Sequence, residues 1–160
     1  MKRLFYLFIC ALPLMFVTSC DDDNDLPDVD FIIDITDGVY KDGNIYVVAG
    51  ENLNIKSIQV VNKEQGRNAL ISYADYYWDY LRIAQSIVPP FGAEIYISPE
   101  TPLGNHLLEI YAPVYAEDKT PAYAVLNYPV VVVESADEIP GDGVSSFTDA
   151  PAIKESDPSK

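Results

Sequence analysis

The chain has one histidine, His106, in GNHLLEI (104–110), and that limits the chemistry on offer. A metal site built from several imidazoles is excluded. A Ser-His-Asp triad would need His106 beside an activated hydroxyl, and no G-x-S-x-G elbow occurs. At the start of an apolar run, His106 reads as a packing or turn residue. No Walker loop or G-x-G-x-x-G turn is present to hold phosphates. The 25 Asp and Glu residues leave paired-carboxylate glycoside hydrolysis open by residue type, although so small a body gives little scaffold for a deep sugar cleft. DITDGVYKDGN (34–44) offers Asp34, Asp37, Asp42 and Asn44 as oxygen ligands. Their spacing misses the calcium loop, whose ligands fall at positions 1, 3, 5 and 12, so they read as solvated turn residues. No catalytic residue, metal site or cofactor is expected.

The other dense feature is SYADYYWDYLRI (72–83), with five aromatic rings between Tyr73 and Tyr80. Such rings either face a ligand or fill a core. In a helix, Asp75, Asp79, Arg82 and Ser86 form one polar stripe among the aromatic residues. In a strand, Ala74, Tyr76, Trp78 and Tyr80 share one face, and Asp75, Tyr77 and Asp79 share the other. Tyr and Trp favour strands over helices, and Pro89-Pro90 closes the segment either way. Period alone leaves both readings open.

The surrounding elements are strand-like. DFIIDI (30–35) and NIYVVAG (44–50) are short, β-branched and separated by the turn signals TDG and KDG. IKSIQVVN (55–62) and AEIYIS (93–98) alternate, the latter with Ile95 and Ile97 against Glu94 and Tyr96. HLLEIYAPVYA (106–116) and AVLNYPVVVVE (124–134) follow, and Pro129 demands an edge, a bulge or a strand start. About seven short strands punctuated by turns every 8–12 residues indicate an antiparallel sandwich. Beyond Ser135 the polar, proline-containing tail offers little besides Phe147 and Ile153 to bury, and disorder is expected over 136–160.

At the other end, Lys2 and Arg3 precede an apolar run, Leu4 to Val17, too short to span a bilayer and followed by acid rather than a basic flank. This is the pattern of a secretory signal peptide. Val17-Thr18-Ser19-Cys20, followed by DDDND (21–25), resembles the lipobox and surface-export signal of Bacteroidetes-type lipoproteins. The resemblance implies a signal over 1–19, a palmitate-bearing Cys20, an export signal of Asp21, Asp22 and Asp23, and an outer-membrane anchor facing the cell exterior. Cys10 would leave with the signal, so no disulfide could form within the mature chain. Loss of Lys2 and Arg3 leaves 8 basic against 25 acidic residues, a net charge of −17. No basic cluster offers a footprint for phosphates, so nucleic acid is disfavoured as a partner. Residues 20–29 read as an acidic, lipidated tether.

Tyr76-Tyr77-Trp78-Asp79, Pro90-Phe91 and Gly104-Asn105-His106-Leu107 resemble elements of immunoglobulin-like domains in such lipoproteins, and GENL (50–53) is similar to a segment of TIG/IPT-type domains. The resemblance implies an all-β, single immunoglobulin-like sandwich over 30–135 and favours the strand reading of 72–83. Trp78 would then be the inward core anchor with Tyr76 beside it, while Tyr77 and Asp75 point outward. A sugar-stacking platform and a protein-contact patch are the other roles weighed for Trp78. Tyr77 and Tyr80 are the candidate exposed contacts. The expected function is a non-catalytic binding or accessory module for glycan or nutrient capture. The alternatives are a structural or interaction component of an envelope or fimbrial assembly and, third, a small glycan-active enzyme. Expected partners are the membrane through Cys20 and a glycan or outer-membrane protein.

Overall fold

The computed structural model describes residues 25–155. The signal, the lipobox at Cys20 and the aspartates Asp21, Asp22 and Asp23 lie outside the described residues. What is described is all β apart from one short 3-10 turn, Ala136–Glu138. The strands are β1 (Val29–Thr36), β2 (Val39–Lys41), β3 (Asn44–Val48), β4 (Asn52–Asn62), β5 (Ala69–Ile71), β6 (Ala74–Trp78), β7 (Leu81–Ser86), β8 (Ala93–Tyr96), β9 (Gly104–Ala116), β10 (Ala122–Val133), β11 (Ser146–Asp149) and β12 (Ala152–Glu155).

They form two sheets, β11-β1-β4-β8 and β2-β3-β10-β9-β6-β7, with β12 beside β10 and β5 beside β9 in the second. Pairing is antiparallel except between β3 and β10, which run parallel. Neither sheet closes into a barrel. This is the two-sheet sandwich expected from the strand pattern, with the immunoglobulin-like architecture that the resemblance implied.

Alternation builds the core. In β1, Val29, Phe31, Ile33 and Ile35 are buried while the residues between them are half-exposed. From the facing sheet, Leu108, Ile110, Ala112 and Val114 of β9 meet Ala124, Leu126, Tyr128, Val130 and Val132 of β10 in one buried cluster. Pro129 lies inside β10, not at its start or at a sheet edge. It falls at 126–129, the stretch of β10 that separates its pairing with β12 (Ala122–Val125) from its pairing with β3 (Val130–Val133). A missing N–H is tolerated there because no ladder on that side requires it.

Two boundaries need correction. The acidic tether ends earlier than expected: Val29 is buried, Lys119 Nζ lies 2.7 Å from Asp25, and Lys63 pairs with Asp28 at 2.9 Å. The tail expected to be disordered from 136 instead supplies β11 on the free edge of β1 and β12 on β10. Backbone hydrogen bonds and one aromatic side chain hold it: Phe147 stacks on Tyr40 with centroids 3.8 Å apart and meets Tyr128 edge-on. The path to β11 passes so close to β2 that a Cβ on Gly143 would sit 1.8 Å from Val39 Cγ1. Only glycine fits there.

Candidate binding groove at the hairpin end of the sandwich

The SYADYYWDYLRI segment is a hairpin, β6 to β7, and its helical reading is excluded. Within β6, Ala74 and Tyr76 are fully buried, whereas Asp75 and Tyr77 lie on the opposite face. The face assignment holds, but the anchor differs. Tyr76, paired to β7 on one side and β9 on the other, is the large buried ring, and its hydroxyl donates to the carbonyl of Phe91. Burial pushes that phenol well above its ordinary range. Trp78 ends the strand and is only half-buried, packing on the rim of the core. Tyr77 is partly covered by the Tyr111 ring, 5.2 Å away.

Tyr80 is not on the strand face. Asp79 and Tyr80 form the two-residue turn, with φ of +45° and +69°. Two positive φ angles define the type I′ hairpin, where Asp is tolerated and Gly is the preferred second residue. A bulky residue there is strained by about 1–3 kcal/mol. Tyr80 is also 78% exposed, so its ring regains little of that through burial. Tyr80→Gly is accordingly expected to stabilise the domain by about 1 kcal/mol, read as a higher urea midpoint. A lower midpoint would show that the ring makes contacts worth more than the strain.

His106 fixes this turn from below. Its Nδ1 lies 2.7 Å from Asp79 Oδ2 and its Nε2 lies 2.7 Å from the Pro102 carbonyl, while the ring stacks on Trp78 at 5.2 Å. Asp79 Oδ1 also accepts the Leu107 N–H at 2.9 Å. Both imidazole nitrogens thus face acceptor oxygens, an arrangement that only the doubly protonated ring satisfies. Burial opposes that charge, but Asp79 and the Pro102 carbonyl outweigh it and hold the His106 pKa above its ordinary value. For Asp79, burial pushes the other way and is overcome by His106 and the Leu107 N–H, leaving its pKa lowered. His106 therefore contributes stability that is full below its unfolded pKa of about 6.5 and fades as pH rises through its raised folded pKa. The Asp79 contribution is full above about 3.9 and fades as pH falls through its lowered folded value. Stability should peak between those limits. His106→Ala should flatten the alkaline side of that curve and cost about 1.5–3 kcal/mol near pH 6. A His106 ring-proton titration midpoint at or below 6.5 would refute the clamp.

Between the β7 edge of one sheet and the β8 edge of the other lies a groove of about 250 Å³, lined by Trp78, Ile83, Glu94, Ile95, Tyr96, Ile97, Ser98 and Thr101. A second, more polar hollow of about 420 Å³, lined by Asp37, Gly50, Glu51, Asn52 and Tyr96, lies on the far side of the same tyrosine. Tyr96, 64% exposed, is the wall shared by both. It is not among the candidate contacts expected from the sequence, although an aromatic ring on the polar parity of AEIYIS was the available signal. Of the expected contacts, neither lines this groove: Tyr80 stands exposed in the hairpin turn, and Tyr77 lies on the outer face of β6. Among the described residues no cluster of three or more His, Cys, Asp and Glu could hold a metal ion.

No protein-family model and no curated protein matches the chain. Among solved structures, it is similar to the fibronectin(III)-like modules of Clostridium thermocellum CbhA, at 19% identity and a TM-score of 0.39 over 62% of this chain and 94% of that one.

Proposed function

We propose that the chain is a non-catalytic, surface-displayed binding module, anchored in the outer membrane through Cys20, that captures a glycan or a related nutrient in the groove beside Trp78 and Tyr96. The observation that carries this reading is the groove wall itself. Two aromatic rings flank hydroxyl and carboxylate side chains of Ser98, Thr101 and Glu94, a combination that stacks on sugar faces and hydrogen-bonds their hydroxyls. His106, the single imidazole, is committed to holding the hairpin, which argues against a role in catalysis.

A glycan array with the purified domain should show binding that Tyr96→Ala abolishes while the urea midpoint barely moves. Binding that survives that substitution would place the ligand elsewhere. For the anchor, Cys20→Ala should end incorporation of labelled palmitate in cells, and undiminished labelling would defeat the lipid assignment. Replacing Asp21, Asp22 and Asp23 with Ala should protect the protein from protease added to whole cells.

A further inference from the structure

The sheet edges of this sandwich are treated unequally. β11 covers β1, β12 covers part of β10, and β2 is bridged by Val144 through two 2.8 Å backbone hydrogen bonds. Among the described residues the strands at the sheet edges other than β7 are three or four residues long, and β4, which runs past β8 over 56–62, has Lys56 exposed there and its Ile58 N–H bonded to the Pro90 carbonyl at 2.9 Å. β7 has six residues and no strand on its far side among the described residues. It contains neither proline nor lysine, two of the guards of an open edge, although it does carry a bulge and one arginine. Its one charge, Arg82, is held by Asp75 at 2.6 Å across the hairpin. A register shift opposite Tyr76 and Tyr77 leaves Ile83 as the extra residue, and its side chain lines the groove.

The surroundings are apolar in an acidic chain. Tyr80, Leu81, Ile83, Ile87, Val88 and Tyr96 are all exposed, Leu81 at 71%. From Tyr80 to Ala93 the only charged residue is Arg82, although the chain carries 25 acidic residues. Two exposed carboxylates nearby have no cationic partner among the described residues: Glu94, which lines the groove, and Glu100, whereas Asp79 at the hairpin tip is paired with His106. Tyr80 adds the strained, exposed ring that domain stability does not explain. Exposed apolar side chains at this density, two of them (Ile83 and Tyr96) lining one groove, point to a contact surface.

We infer that β7 is a docking edge for an extended segment of a partner polypeptide, which adds a strand to the sheet, places alternate apolar side chains against Ile83 and Trp78, and carries basic residues at its ends. Backbone pairing supplies affinity and the apolar groove supplies register. Charge selects the occupant. A second copy would bring its own formal −15 against these carboxylates, whereas a cationic segment is attracted to them. This goes beyond glycan capture and does not require it, although the two sites share Trp78, Ile83 and Tyr96.

The test uses the isolated domain, residues 25–160, in backbone NMR, with a synthetic peptide of alternating valine and threonine carrying lysine at both ends. Its control carries glutamate instead. Amide shifts should concentrate at residues 81–86. Exchange of their outward amides should slow about tenfold at peptide near ten times Kd, because exchange then proceeds from the roughly one-tenth of molecules left free. The glutamate-ended peptide should bind more weakly, and Ile83→Lys should abolish protection. Tyr80→Gly, which is expected to fold more stably, should weaken it. Protection at another strand, or equal binding of the two peptides, would overturn the proposal. So would a concentration-dependent dimer protecting the same amides, because the occupant would then be a second copy. A glycan that shifts Tyr96 and Thr101 without protecting β7, alongside a silent peptide, would end this proposal and leave glycan capture standing.

Discussion

Truncation after Ser135 is expected to bring the domain close to global unfolding. The segment it removes contains Phe147, a buried ring in contact with Tyr40 and Tyr128, and deletion of such a ring alone costs about 3–5 kcal/mol. It also removes the β11 ladder on β1, the β12 ladder on β10, the Ile35 N–H to Ser145 carbonyl bond and the paired bonds between Tyr40 and Val144. Phe31 and Ile33, now fully covered, would lie beneath a newly opened edge. Against a total of roughly 5–15 kcal/mol for a small domain, that combined loss leaves little margin. Urea titration by circular dichroism would show it as a collapsed midpoint or no transition. Phe147→Ala isolates the ring and should lower the midpoint by an amount equivalent to about 3–5 kcal/mol, with the m-value unchanged. A truncated domain with the parent midpoint would mean that the strap contributes nothing to the sandwich.

This strap also shows what was hidden in the sequence. The strands that alternate over several residues, such as DFIIDI or AEIYIS, announce their faces, because every second side chain must enter the core. β11 and β12 bury one ring and one half-buried isoleucine between them, so their composition is that of a loop. Their existence depends on edges offered by β1 and β10, more than 20 residues away in the chain, and no local pattern encodes such a partner. The same holds for the clamp. His106 and Asp79 are distant in sequence, and neither shows by itself that the hairpin tip will rest over the start of β9. Tyr80 illustrates the opposite limit. A strand parity count places it inward, but parity ends where the turn begins, and nothing in the aromatic run marks Asp79 as the first turn residue in place of a glycine pair.

Tyr76, not Trp78, should prove the costliest side chain in the aromatic run. Tyr76→Ala deletes a ring with no exposed surface from the buried core cluster and should cost about 3–5 kcal/mol. Tyr76→Phe keeps the ring but strands the Phe91 carbonyl without its donor, at a cost of about 1–3 kcal/mol. Trp78 is larger, yet part of its surface already faces the groove, so Trp78→Ala should cost roughly half as much as Tyr76→Ala. Tyr77→Ala gives up an outer-face ring pair with Tyr111, worth about 1 kcal/mol. The order is decided by what surrounds each ring: buried core for Tyr76, core on one side and solvent on the other for Trp78, and a single neighbouring ring for Tyr77. Denaturant midpoints followed by circular dichroism would rank the three, since Trp78→Ala also removes the only tryptophan and with it the fluorescence signal. Trp78 losing more than Tyr76 would place the indole inside the sandwich and close the groove proposed for ligand. A modest loss at Trp78 accompanied by lost binding is the outcome that a half-buried ring at the mouth of a site requires.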